Sequence, residues 1–164
     1  HGRDAATGKN HGGQSDAERT TWMIANIKNT NTYFKNNTPA IVDILPTMLH
    51  FQNIHIPFAN KYELDGISIT GDVSISHPSV VKHEDSLIIR WKGYEKNKPV
   101  TILVSYTNLF KQGVQDNFQS LASIPIEQER FAFKIPANIP FAKIVIIGYN
   151  NTVNSQWFNH AIPK

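Results

Sequence analysis

From Ile67 onward the chain alternates apolar and polar positions with few interruptions. Ile67, Ile69, Val73 and Ile75 lie on one parity, against Ser68, Thr70, Asp72, Ser74 and Ser76 on the other. That period of two predicts a half-exposed strand, closed by His77-Pro78-Ser79. Leu87, Ile89 and Trp91 share the next face, and after Lys96-Asn97-Lys98-Pro99 the run Val100, Ile102, Val104 and Tyr106 repeats the pattern. The two runs are read as a β-hairpin with Trp91 as its anchor. Further strands are predicted at Phe118 to Ile126 and at Phe131, Phe133 and Ile135, the latter ended by Pro136. Ile144 to Tyr149 is apolar on both parities, as suits a central strand covered on two sides. After a turn at Asn150-Asn151-Thr152, a last strand runs from Gln156 to Ile162 with Trp157 and Phe158 on opposite faces.

The first sixty residues are patterned differently. His1 to Gln14 holds four glycines and no large apolar residue, so it buries nothing by itself and reads as a flexible arm. Ser15-Asp16-Ala17-Glu18 has the form of a capping box and predicts a helix start. Trp22, Met23, Ile24 and Ile27 extend that helix to about Lys28, or else form an extended segment. Ile41, Val42, Ile44 and Leu45 stand between Pro39 and Pro46, which limit a helix there to one or two turns. Leu49 and Phe51 fall on one parity and Ile54, Ile56 and Phe58 on the other, which predicts a strand with a bulge at Gln52-Asn53. The expected organisation is an arm (1–14), a helix and leading strand over one end of the core (15–60), and a sandwich core (61–164). The fold class is mainly β: an antiparallel two-sheet sandwich with a flexible N-terminal arm and a short N-terminal helix.

From Ile67 to Ile162 the chain resembles the immunoglobulin-like and fibronectin-type sandwich modules of extracellular proteins. The resemblance rests on Trp91 in Ile89-Arg90-Trp91, the Val100–Val104 strand, Phe131–Pro136, Ile144–Tyr149 and Ser155–Phe158. It implies an extracellular or cell-surface sandwich and no particular activity. The lack of cysteine sets aside the disulfide-bonded antibody type, and the first 60 residues have no counterpart.

Length and composition narrow the picture. A chain of 164 residues suits one domain with a core of its own. With no cysteine there is no disulfide framework, thiolate metal site or cysteine nucleophile. No apolar run approaches a membrane span. The charged fraction of 18% is low, so the surface is made largely by Asn, Ser, Thr and Gln. The net charge of +3 comes from 16 basic and 13 acidic residues, interleaved along the chain. The densest basic group, Arg90, Lys92, Lys96 and Lys98, has Glu95 in its middle and reads as a solvated turn, not a nucleic-acid footprint.

Candidate chemistry is sparse. Histidines stand at positions 1, 11, 50, 55, 77, 83 and 160, without the paired spacing that brings two imidazoles to one ion. His1-Gly2 resembles the mature start of copper-dependent polysaccharide monooxygenases, which implies copper held by His1 with His160 or His83. Here, however, His1 leads into a glycine-containing arm with nothing to hold the ligands in place. Asp65, Asp72, Glu84 and Asp85 lack calcium-loop spacing, and Glu84-Asp85 reads as a turn. There is no Gly-x-Ser-x-Gly elbow and no phosphate-binding loop, so no cofactor is expected. Asn36-Asn37-Thr38 and Asn150-Asn151-Thr152 match the glycosylation sequon, as chance allows in an Asn-rich chain. Trp22, Tyr33, Phe34, Tyr94 and Trp157 are candidates for a sugar-stacking face, with Trp22, Tyr94 and Trp157 singled out as binding residues. The expected function is non-enzymatic: a secreted or surface sandwich that binds protein, including copies of itself through the arm, as in adhesion or in a filament or shell. Glycan binding and the copper enzyme are the alternatives.

Overall fold

The computed structural model describes residues 2–13, 15–36, 39–136, 139, 141–155 and 158–159. Two antiparallel sheets enclose one core. The first joins β1 (Ile75–His83), β2 (Ser86–Gly93) and β5 (Arg130–Lys134) in the order β1-β2-β5. The second joins β3 (Pro99–Ser105), β4 (Phe118–Pro125), β6 (Phe141–Ile147) and β7 (Thr152–Asn154) in the order β4-β3-β6-β7, with β8 (Phe158–Asn159) also paired to β6. The expected two-sheet sandwich is therefore the architecture found.

The alternation explains the core. Leu87, Ile89 and Trp91 from β2, Val100, Ile102 and Val104 from β3, and Ala142, Ile144 and Ile146 from β6 are all buried in one cluster. Phe131 and Phe133, opposite Ile89 and Leu87, stack at 6.4 Å and pack against it. Trp91 fills the space between the layers and donates its indole N–H to the Ile126 carbonyl at 2.9 Å, so its one polar atom is satisfied in the interior.

The strand pairing corrects three expectations. Residues 87–106 are not a hairpin, because β2 and β3 belong to opposite sheets and the link between them crosses the sandwich. A period of two shows which face is buried; it does not show which strand is the neighbour. The partner of β2 is β1, through a turn at Glu84-Asp85. His77-Pro78-Ser79 does not close a strand but lies within β1, where the register shifts between Ser76 and Ser79 and His77 has φ +52. Proline is tolerated there because β1 is an edge strand and the bulge frees its position from the ladder.

Ile67 to Ser74 is the third correction. Its apolar residues are buried as predicted, yet it forms only one isolated bridge, Thr70 with Thr30, and no ladder. Side chains take the place of a neighbouring strand. Asp43 accepts from Ile67 N–H at 2.7 Å, Thr47 Oγ1 accepts from Ile69 N–H at 3.0 Å, and Asn151 Oδ1 accepts from Ser74 and Ile75 N–H at 2.8 and 3.1 Å.

The first sixty residues are helical where they are regular. The capping box at Ser15 is present, but α1 (Asp16–Arg19) stops after one turn and the chain is extended from Thr20, so the helix to Lys28 does not form. Trp22 and Ile24 stay exposed there and offer no packing to hold further turns. The arm folds back on α1, with Gly2 N–H donating to Thr20 C=O and Gly13 N–H to Glu18 Oε1. After α2 (Thr32–Asn36), a 3-10 turn (Ile41–Asp43) leads into α3 (Ile44–Phe51), followed by the short α4 (Phe58–Lys61). The strand expected from Leu49 to Phe58 is thus a helix end and a loop. Pro46 sits in the first turn of α3, where its missing N–H costs nothing. Gly66 lets the next segment approach, since a Cβ there would lie 2.0 Å from the Val42 carbonyl oxygen.

Candidate functional site

Of the three residues singled out for binding, two lie among the described residues, and they differ in their surroundings. Trp22 is 80% exposed on the extended segment after α1. Trp157 lies outside the described residues, as do His1 and His160 of the copper alternative. Tyr94 is half-buried, packs against the core and shares a hydrogen bond with Ser76 Oγ at 2.7 Å. Tyr33 is buried and donates to Asp43 at 2.8 Å, so it is no stacking surface. Burial, then the bond to Asp43, pushes its phenol well above the usual tyrosine range.

Tyr94 does line a cleft of about 440 Å³, shared with Asn29, Asn31, Lys35, Asp72 and Glu95. Lys92 stands 5.4 Å from the centre of its ring. A second cleft, of about 370 Å³, opens between α3 and the Asn150–Thr152 bend and is lined by His50, His55 and Lys61, among others. His50 is held by Thr70 Oγ1 at 2.9 Å. Its imidazole lies over Gly71, where a Cβ would come within 2.7 Å of the ring. Among the described residues no group of three His, Asp or Glu is placed to hold a metal ion.

Two features carry no sequence motif. The first is the outward face of α3 and the turn before it. Ile41, Ile44, Leu45, Met48 and Phe51 are 69, 45, 52, 54 and 73% exposed, whereas Asp43, Pro46 and Thr47 are buried. This helix is polar inward and apolar outward, because its inward side chains supply the hydrogen bonds that Ile67 and Ile69 lack. The helical spacing of Ile41, Ile44, Leu45, Met48 and Phe51 was the available signal, hidden by reading Pro46 as a break.

The second feature lies on the outer face of the second sheet. Lys143 alternates with the core residues Ala142 and Ile144, so it points away from the sandwich, yet it is 1% exposed. The segment after α4 covers it. The Tyr62 ring meets Phe118 edge-on at 5.0 Å, and Asn154 Nδ2 donates to the Tyr62 carbonyl. Lys143 Nζ pairs closely with Glu63 and lies 3.7 Å from Asp116 Oδ2. The one hint in the sequence is a lysine inside the apolar run Phe141 to Ile147. Glu63 and Asp116 have no local signature.

No family model and no curated protein matches the chain. Two crystal structures of pectate lyase Pel3 from Pectobacterium carotovorum align with it at TM-scores of 0.40 and 0.39 and 10% and 11% identity, over 55% and 56% of this chain. The chain spans 28% of the length of that enzyme. A likeness this slight transfers neither fold nor activity.

Proposed function

We propose that this chain is a non-enzymatic, extracellular or surface-exposed sandwich of the immunoglobulin-like or fibronectin-type kind that associates with copies of itself. The observation that carries this reading is the apolar outer face of α3. Large side chains grouped on a surface in this way are a cost in an isolated protein and mark an interaction site. Asp43 is the only Asp, Glu, Lys or Arg between Ile41 and Ile54 and it is buried, so the apolar side chains of this face carry no permanent charge beside them with which to select an acidic or basic partner. A second identical face is its natural complement, through a two-fold contact. The strand order supports the kinship: β1-β2-β5 and β4-β3-β6-β7 follow the A-B-E and C′-C-F-G order of such modules.

Light scattering coupled to size exclusion tests the reading on three forms: the full chain, M48K/F51D, and the chain without residues 1–14. The full chain and the truncated form are expected to associate and the double variant to be monomeric. A monomeric full chain overturns the proposal, and loss of association on truncation moves the contact to the arm.

A second reading, glycan recognition, is favoured by the cleft at Tyr94, where amides, Lys35 and Asp72 rim an aromatic wall. Tyr94→Ala does not test it cleanly, since the ring also packs on the core. Asp72→Ala and Lys35→Ala lie on exposed positions and are expected to abolish binding to a polysaccharide panel without lowering thermal stability. Absence of binding by the unaltered chain ends this reading.

A further inference from the structure

The buried Lys143 cluster, independent of the self-association reading, has the parts of a self-modifying site. We propose that Lys143 and Asp116 become joined by an amide bond, with Glu63 moving the protons, so that β6 is covalently tied to the loop between β3 and β4.

The reacting groups are held together and dry. The Lys143 and Asp116 side chains are 1% and 0% exposed and that of Glu63 is 16% exposed. Phe118, whose ring centre is 5.9 Å from Nζ, and Tyr62 wall the site. In water an ammonium and a carboxylate are more stable apart than condensed. Burial strips the hydration that stabilises both ions and penalises a neutral amide far less. It also removes the water that would reverse the reaction.

Asp116 is polarised for attack. Its Oδ1 accepts from Leu109 N–H at 2.6 Å and from Thr107 Oγ1 at 3.0 Å, two donors placed to receive the negative charge that develops there as nitrogen adds to Cγ. Its Oδ2, by contrast, accepts no hydrogen bond from a described residue and is the oxygen facing Nζ. Glu63 touches Nζ and so stands where a proton shuttle is needed.

The reaction balances within the cluster. Glu63 takes one proton from the Lys143 ammonium and passes it to Asp116 Oδ2. The freed amine pair forms the N–Cγ bond. The Cγ–Oδ2 bond then breaks, and the oxygen leaves as water with a second proton carried by Glu63 from the attacking nitrogen. One ammonium and one carboxylate become one amide and one water, and Glu63 is returned unchanged.

Intact-mass spectrometry of the denatured full chain, followed by tryptic mapping, tests the proposal. The expected mass is one water below that of the sequence, with Lys143 resistant to trypsin and a branched peptide joining it to Asp116. Glu63→Gln, checked for folding by circular dichroism, is expected to keep the full mass. A full-mass wild-type chain, water loss without the branched peptide, or a branch at Glu63 would each overturn the assignment. Water loss in Glu63→Gln equal to wild type would remove Glu63 from its role.

Discussion

Asp43 shows how much of this structure depends on single polar side chains. Its carboxylate accepts from Tyr33 Oη, Ala40 N–H and Ile67 N–H within 2.8 Å and is 2% exposed. Removing it strands the Ile67 N–H and the Tyr33 hydroxyl away from water, so Asp43→Ala is expected to lower unfolding free energy by roughly 3 kcal/mol, read from urea midpoints at unchanged slope. Its partner Tyr33 links the same site to pH. The folded phenol titrates above the unfolded one, so its contribution is fully present below the ordinary tyrosine pKa of about 10 and is lost as pH rises above it. Stability should therefore fall in alkali, less so in Tyr33→Phe, and ultraviolet titration should show a tyrosine ionising above the ordinary range whose signal is lost in Tyr33→Phe. Neither role was legible from sequence, where Asp43 is one acid in an apolar run and Tyr33 one of several aromatics. A hydrogen-bond partner 24 residues away, as Ile67 is from Asp43, leaves no local pattern.

At the scale of elements, the alternating patterns located β2, β3 and β5 because their apolar faces meet in the core, and the run apolar on both parities located β6, which is covered on two sides. They did not show which strands are neighbours. The hairpin expected between Leu87 and Tyr106 failed for that reason, and the strand expected at Leu49 failed because α3 faces its apolar side outward. Asn151 shows how a segment with strand-like sequence does without a ladder. It accepts from Ser74 and Ile75 N–H and donates to the Ile75 carbonyl, where the chain enters β1. Asn151→Ala is expected to cost roughly 2–4 kcal/mol, since Ser74 and Ile75 are fully buried. Hydrogen exchange gives the sharper reading: protection should drop first at the amides of 74 and 75, while the β3–β6 ladder keeps its own.

For the whole molecule, composition and periodicity were enough to reach a two-sheet sandwich, because the class depends on the sum of many buried positions and tolerates errors in a few. The candidate sites were mostly not legible. Among the described residues, Tyr33, Trp22 and Tyr94 divide between the core, the surface and one cleft, whereas Lys143, Glu63 and Asp116 meet only in the folded chain. The edges of the first sheet carry a last consequence. β1 is interrupted by Pro78 and the left-handed His77, and β5 is five residues long with Arg130 and Lys134 at its ends. Neither rim offers an incoming strand an unbroken row of amides. Growth by strand addition along the first sheet is thereby discouraged, and Pro78→Thr, which restores an amide to that rim, should speed any rise of thioflavin fluorescence in concentrated samples. Contacts that copies of the chain make at the first sheet would then be made by its face and not by its rim.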